Sequence, residues 1–152
     1  MRAMRFATLA AALMLSAILH GQTVPKSDAD RLVGAWHLVS LGDQGPDGKF
    51  RAVEGLKGTL IYSRDGHMSV QIMYPKQNAG LTNDYVLNGY EASFGSYDVN
   101  EAAHTVTHHV QGSITPGLVG KSLTRVFKMS GRRMVIQSPN PDEHWSATWE
   151  HD

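Results

Sequence analysis

The sequence predicts an all-β protein, an eight-stranded antiparallel up-and-down barrel with one short helix, preceded by an N-terminal signal peptide. Three observations predict this class. Short runs rich in β-branched and aromatic residues follow one another from residue 35 onward, and Gly, Asp, Asn and Pro separate them. Helical patterns do not alternate with these runs, which argues against a parallel α/β sheet. The chain has 152 residues and a hydrophobic fraction of 41%, enough for one domain with a real core.

The N-terminal residues have the layout of a secretory signal peptide. Arg2 and Arg5 precede an apolar run from Phe6 to Leu19, and polar residues follow it. This run of about 14 residues is shorter than the roughly 20 that cross a bilayer as a helix, so an uncleaved anchor is the less favoured alternative. We therefore predict a signal peptide over residues 1–21, a lead-in over 22–33 and a barrel domain over 34–152. The mature protein is then secreted or periplasmic, with no stable membrane span.

Each predicted element follows from its local pattern. The lead-in starts a short helical turn through Arg31 to Val33. Asp65-Gly66 and Gly131 mark tight turns between strands, since these residue types tolerate positive φ. Asp84 begins a short helix, Tyr85 to Ala92, in which side chains four apart share a face, and we expect this helix near the mouth of the barrel. The eight predicted strands are Ala35 to Leu41, Gly58 to Ser63, His67 to Tyr74, Phe94 to Val99, Thr105 to Gly112, Lys121 to Ser130, Arg132 to Ser138 and His144 to Glu150.

Alternation along these strands selects the face that turns inward, because side chains two apart share a face of a strand. The inward set is apolar or aromatic, with His108 and Arg125 as exceptions. The opposite faces carry residues that suit water, such as Thr107, His109 and Thr148. The predicted ligand-binding residues on the inward face are Trp36, Leu60, Tyr62, Met68, Val70, Tyr97, His108, Arg125, Met134 and Trp145.

Composition argues against several classes of function. Lys and Arg together number 14, as do Asp and Glu, so no net charge favours nucleic acid or an anionic membrane. The chain has no cysteine, which excludes disulfides, thiolate zinc sites and a thiol nucleophile. His108 and His109 point to opposite faces of one strand, and His104 lies about 13 Å along it from His108, so we predict no metal site. We also predict no cofactor and no catalytic residue, since a Gly-x-Ser-x-Gly elbow and a phosphate-binding loop are both missing.

Several motifs resemble a known family. Gly34-Ala35-Trp36 resembles the Gly-x-Trp opening of lipocalins, and the wider pattern is similar to the small lipocalin-like domain family of bacterial and fungal proteins. The resemblance extends from about Leu32 to His151, and it implies the barrel fold more strongly than any activity. The further motifs, in chain order, are Gly58 to Tyr62, Asp65-Gly66, Met68-Ser69, Tyr90, Phe94 to Val99, Val106 to Val110, Pro116, Val119-Gly120, Arg125 and Trp149-Glu150.

One departure from the family pattern concerns the last residues. The family often ends in Trp-Glu-Arg, and this chain has His151 at the last of these positions. In lipocalins an arginine packs over the first-strand tryptophan, a cation–π contact of about 0.5–2 kcal/mol. Either Arg125 packs over Trp36 here, or that end of the barrel is closed differently.

His108 and Arg125 are the polar residues of most interest on the inward face. A buried arginine needs a partner, since an unpaired interior charge is costly, and Glu150, Asp98 or a ligand carboxylate are the alternatives. We predict that the barrel, closed at one end by Trp36, binds a small hydrophobic or amphipathic molecule. Two alternatives stay open: a pocket enzyme of the isomerase, cyclase or lyase type that uses His108, and a filled structural barrel without a ligand. The sequence favours binding over catalysis and does not predict an oligomeric state.

Overall fold

Antiparallel strands dominate residues 26–152, the part of the chain that the computed structural model describes. Runs of β-branched and aromatic residues are interrupted by turn residues at short intervals, so each run forms one strand. Helix α1 covers Asp28–Leu32, and the Ser27 hydroxyl caps it by accepting a hydrogen bond from the Asp30 N–H. The strands are β1 (Gly34–Gln44), β2 (Phe50–Ala52), β3 (Lys57–Tyr62), β4 (His67–Met73), β5 (Tyr90–Asn100), β6 (Thr105–Ser113), β7 (Ser122–Ser130), β8 (Arg133–Gln137) and β9 (Trp145–His151).

Eight of these strands close into a barrel. β1 pairs with β3, each later strand pairs with the next in the chain, and β9 returns to pair with β1, all in antiparallel fashion. The predicted eight-stranded antiparallel barrel is therefore confirmed. β2 stands outside this ring and pairs with β1 from Gly42 to Gln44. The sequence did not predict this ninth, three-residue strand, because the glycine-rich loop before it masks the short extended run.

The bounds of six predicted strands agree with the structure to within one residue at each end. The first strand is longer than predicted and continues to Gln44, because both β9 and β2 supply hydrogen bonds beyond Leu41. Strand β5, which corresponds to the fourth predicted strand, begins at Tyr90 instead of Phe94. Turn residues thus marked most strand ends correctly, and the two exceptions extend where a neighbouring strand supports them.

The helix predicted over Tyr85 to Ala92 is wrong. Asn88 and Gly89 both have positive φ, at 50° and 77°, and Leu87 forms an isolated antiparallel bridge with Tyr90. The chain therefore makes a tight turn there and enters β5. Asn-Gly is among the strongest turn signals in sequence, and it outweighs the four-residue spacing on which the helix prediction depended. The short helix of the fold is α1.

The end of the barrel next to α1 is filled by side chains. Leu32 and Trp36 are buried there, and the Trp36 indole N–H donates to Leu32 O at 2.8 Å. His151 packs edge-on against Trp36, with ring centroids 4.7 Å apart, and its Nε2 lies 3.1 Å from Val33 O. Gly34 leaves room for this ring, because a Cβ at that position would lie 2.3 Å from His151 Nε2 and the residue has a φ of +140°.

The predicted signal peptide, residues 1–21, lies outside the described residues. Across residues 26–152, no helix combines the length and the apolar character needed to cross a membrane.

Candidate functional site

The end of the barrel opposite α1 is hollow. A cavity of about 300 Å³ lies where β1, β4, β6 and β8 end and where β5, β7 and β9 begin. Pockets for small organic ligands generally measure about 300–1,000 Å³, so this cavity suits a small molecule. Its walls are mostly apolar and include Leu60, Val70, Ile72, Leu123, Ile136 and Trp149.

The ten predicted ligand-binding residues all belong to the barrel interior but divide between its two ends. Alternation along a strand identifies the inward face and not the height along the barrel axis, which explains the division. The residues that line the cavity are Leu60, Val70, His108, Arg125 and Trp145. The residues that pack in the filled end are Trp36, Tyr62, Met68, Tyr97 and Met134.

Arg125 places a cation on the cavity wall. Its guanidinium carbon lies 5.2 Å from the ring centroid of Tyr85 and 4.9 Å from that of Trp145, within the range of cation–π contacts. The side chain is buried at 8% exposure. Arg125 therefore does not pack over Trp36, and His151 occupies that position instead.

The two carboxylates considered as partners for Arg125 are engaged elsewhere. Asp98 contacts His109 at 2.7 Å on the outer face, and Glu150 contacts Arg133 at 3.1 Å. The ion pairs of the described residues do not include Arg125. Three candidate partners for Arg125 followed from the sequence. Asp98 and Glu150 are engaged elsewhere, so a ligand carboxylate is the candidate that remains.

One carboxylate holds both aromatic rings that flank the guanidinium. Glu143 Oε2 accepts hydrogen bonds from the Tyr85 hydroxyl at 3.1 Å and from Trp145 Nε1 at 2.8 Å, and Oε1 accepts from Asn140 Nδ2 at 3.3 Å. Burial raises the pKa of Glu143, but its hydrogen bonds, that of Trp145 first, lower the pKa by more, to below its usual value. Glu143 is therefore ionised at neutral pH and orients the two rings around the guanidinium.

A buried hydrogen bond joins the cavity wall to the filled end. Tyr62 Oη lies 2.7 Å from His108 Nε2. Burial, with the nearby charge of Arg125 acting in the same direction, lowers the pKa of His108 to about 3, so the imidazole is neutral at neutral pH. Burial also raises the pKa of Tyr62 far above its ordinary value, so the phenol keeps its proton.

The tautomer of His108 follows from this pairing. The Tyr62 hydroxyl has no other hydrogen-bond partner in the described residues, so its proton goes to His108 Nε2 or stays unpaired in the interior. Nε2 is then the acceptor, and Nδ1 carries the ring proton. Because Nδ1 has no partner within residues 26–152 and His108 lines the cavity, an N–H donor is left for a ligand.

Glu91 is a cavity residue that sequence reasoning missed. It lies on β5 and lines the cavity. Burial raises the pKa of Glu91 to about 7, and the positive charge of Arg125 acts in the opposite direction. A signal for this residue was present: the Asn88-Gly89 turn starts the strand early, and the alternation that turns Tyr97 inward then turns Glu91 inward as well.

Residues 81–89, here called the mouth loop, lie at the open end. Val86 is buried at 1% exposure and lines the cavity together with Leu81 and Tyr85. The Asn83 side-chain oxygen accepts hydrogen bonds at 2.9 Å from the N–H groups of Tyr85 and Val86, which fixes the shape of the loop. The segment predicted to lie near the mouth does so, as a loop and not as a helix.

The histidines of the described residues do not gather around one point. His108 faces the cavity, whereas His109 lies outside and contacts Ser122 and Asp98. In the described part of the chain, no group of three or more His, Cys, Asp or Glu side chains is placed to hold a metal ion.

This chain is similar to several known proteins. The family model of the lipocalin-like domain matches residues 33–151. A crystal structure of a lipocalin-like protein from Bacteroides uniformis is similar at 13% identity and a TM-score of 0.48, over 80% of this chain and 99% of that one. An uncharacterised protein from Bacteroides eggerthii is similar at 15% identity and a TM-score of 0.47, also over 80% and 99%. No curated protein matches the chain.

Proposed function

The chain belongs to the lipocalin-like domain family, and from this premise we propose that it is an exported protein that binds a small amphipathic molecule in its barrel. The apolar part of the ligand occupies the cavity, and an acidic head group reaches Arg125. One observation carries this proposal: a buried arginine that forms no ion pair among the described residues lies on the wall of a mostly apolar cavity.

The energetics of Arg125 support an anionic head group. A buried charge without a counter-ion is costly, and two cation–π contacts, from Tyr85 and Trp145, offset that cost by only about 0.5–2 kcal/mol each. A guanidinium matches a carboxylate with two parallel hydrogen bonds, which gives orientation as well as binding energy. The Nδ1–H of His108 supplies a further donor on the same cavity wall.

Export is proposed from residues 1–21 alone. Expression of the full chain in a secreting host, followed by intact mass measurement of the extracytoplasmic protein, tests it. We expect loss of a segment that ends between Ala17 and Val24. Accumulation of the uncut chain in the membrane fraction would contradict export by a cleaved signal peptide.

The geometry does not favour the two alternatives. A neutral imidazole with a pKa of about 3 is a weak base and not a proton donor near neutrality, which disfavours a pocket enzyme that uses His108. A filled barrel is not favoured either, since an open cavity occupies the half of the barrel near the mouth loop.

The proposal predicts saturable binding of an anionic apolar probe. Titration of the mature protein with 1-anilinonaphthalene-8-sulfonate should show one site, with quenching of tryptophan emission because Trp145 and Trp149 line the cavity. Ser93→Phe adds a large ring inside the cavity and should abolish binding, whereas the matched change Ala92→Phe adds the same ring to the outer face of β5.

Both variants need a circular dichroism spectrum to show that the barrel is intact. Binding by folded Ser93→Phe with wild-type affinity would contradict a site in the cavity, and so would its loss in Ala92→Phe alone.

A further inference from the structure

Glu91 and Arg125 give the cavity one internal acid and one internal cation. Both line the same cavity, from β5 and β7, and neither forms an ion pair among the described residues. Their charges nevertheless interact, since the positive charge of Arg125 opposes the effect of burial on the pKa of Glu91. Without a ligand, an ionised Glu91 is thus a source of negative charge for the guanidinium within the cavity.

Apart from Arg125, the ionisable groups that line the cavity with Glu91 are neutral inside it or exposed at its rim. Burial raises the pKa of Tyr74 to about 12 and raises that of Tyr85, so both phenols are neutral near pH 7, as is His108. Asp43 and Arg51 are exposed, and Arg51 pairs with Asp47 at 2.9 Å. The complete set on the cavity wall is Asp43 from β1, Arg51 from β2, Tyr74 after β4, Tyr85 from the mouth loop, His108 from β6 and Arg125 from β7.

We propose that Glu91 takes up a proton, where it is ionised, when the cavity binds the carboxylate of its ligand at Arg125. This inference rests on the function proposed above and adds a pH dependence to it. A bound carboxylate adds one negative charge beside Arg125 and so offsets the effect of the arginine on Glu91. This change disfavours the ionised form of Glu91, because like charges in a poorly solvated site repel.

The coupling is reciprocal. If the ligand favours protonated Glu91, then protonation of Glu91 favours the ligand by the same factor. Glu91 has a pKa of about 7 in the empty cavity, so both of its forms are populated near neutrality. The ligand therefore binds most tightly below pH 7. Its affinity falls as the pH rises above 7, by up to about tenfold per pH unit.

The test compares decanoate with decanol, which have the same chain length and differ in head-group charge. We expect the Kd of decanoate to rise at least about fivefold between pH 6.5 and pH 8.5, and that of decanol to change less than about twofold. Calorimetry of decanoate binding at pH 7.5, in two buffers with different ionisation enthalpies, should show net proton uptake. The carboxyl carbon signal of Glu91 should titrate near pH 7 without ligand and at higher pH when decanoate saturates the protein.

Two variants locate the proton. Glu91→Gln should abolish the pH dependence and the proton uptake, because an amide does not ionise in this range. Glu54→Gln removes the same charge from an exposed residue that does not line the cavity, and it should keep the wild-type pH dependence. A pH-dependent Kd that persists in Glu91→Gln would overturn the proposal.

The outcomes also separate this inference from the proposed function. Binding of both probes with a pH-independent Kd and no proton uptake would overturn the proton coupling and leave the binding function standing. If neither probe binds at any pH, the binding function fails and the proton coupling fails with it.

Discussion

Tyr62 and His108 show how a single hydrogen bond can set the chemistry that a cavity offers. The phenol is buried at 1% exposure and directs its proton to Nε2 of the imidazole, which fixes the tautomer and leaves Nδ1–H as a donor. With Arg125 on the same cavity wall, donors from two side chains line the cavity, which agrees with the proposed ligand whose head group accepts hydrogen bonds.

Removal of the Tyr62 hydroxyl should destabilise the fold more than removal of a comparable hydroxyl nearby. Tyr62→Phe leaves the buried Nε2 of His108 without a partner, at an expected cost of about 1–3 kcal/mol in the free energy of unfolding. Tyr97→Phe is the matched control, because its hydroxyl donates to Ser63 O at 2.9 Å in a half-buried position. Urea denaturation of both variants measures the difference, and an equal or smaller loss in Tyr62→Phe would contradict this account.

Glu91 and His108 should contribute opposite pH dependences to the free energy of unfolding. Burial raises the pKa of Glu91 from 4.5 to about 7, so its contribution is fully present below pH 4.5 and is lost as the pH rises through 7. Burial lowers the pKa of His108 from 6.5 to about 3, so its contribution is present above pH 6.5 and is lost as the pH falls towards 3. Between pH 4.5 and 6.5 the two contributions oppose each other.

Glu91→Gln should therefore expose the contribution of His108. Relative to the wild type, the variant should lose stability as the pH falls from about 7 to 4.5, by at most about 1.4 kcal/mol per pH unit. Above pH 8 it should be the more stable protein, because no ionised carboxylate is buried in it. Urea denaturation from pH 4.5 to 8.5 measures this difference, and a difference that is independent of pH would argue against a buried, titrating Glu91.

The mouth loop depends on the turn that begins β5. Gly89 has a φ of +77°, and a Cβ there would lie 2.9 Å from Asn78 O and 3.1 Å from Ala79 Cα. Gly66, in the turn between β3 and β4, has a φ of +86° with nothing within 4 Å of such a Cβ. The two turns therefore share the conformation and differ in the close approach of a second backbone segment.

Substitution of these two glycines separates the cost of the backbone conformation from the cost of a steric clash with a second backbone segment. Gly66→Ala should cost about 1–2 kcal/mol from the left-handed conformation alone. Gly89→Ala should cost more, and it should also weaken binding of the anilinonaphthalene probe, because the displaced backbone carries the mouth loop. Thermal denaturation and probe titration of both variants test this, and equal effects on stability would exclude the predicted collision.

The strands were predictable from local signals, and the conformation of the mouth loop was not. Asp65-Gly66 and Gly131 marked turns that the structure contains, and the inward alternation placed His108 and Arg125 in the interior. The helix prediction failed because a four-residue spacing over a short segment is weak compared with Asn88-Gly89. That error shortened β5 by four residues and hid Glu91.

The division of the barrel into a filled and a hollow half could not be predicted from the sequence. Periodicity says which side of a strand is inside, but the height of each residue depends on strand stagger, which is a non-local property. Tyr62 and Leu60 are two residues apart on one strand, and one packs in the core while the other lines the cavity. For the same reason the partners of Asp98 and Glu150 emerged only from the cross-strand register.

This division predicts uneven local stability. Amides near the filled end, where α1, Trp36 and Met134 pack, should exchange most slowly, and those of the mouth loop fastest. Saturation with the anilinonaphthalene probe should slow exchange in the mouth loop and leave the filled end unchanged. Hydrogen exchange followed by mass spectrometry measures both, and uniform protection by the probe would indicate that it binds elsewhere.

The continuous ring of paired strands and the filled end also determine where a ligand would enter and leave the cavity. Within residues 26–152 the sides of the barrel are hydrogen-bonded and the end next to α1 is packed, so we expect a ligand to enter and leave through the end that carries residues 81–89. Residues 81–89 border this opening, so we expect variants that hold them over it to slow both the binding and the release of a ligand.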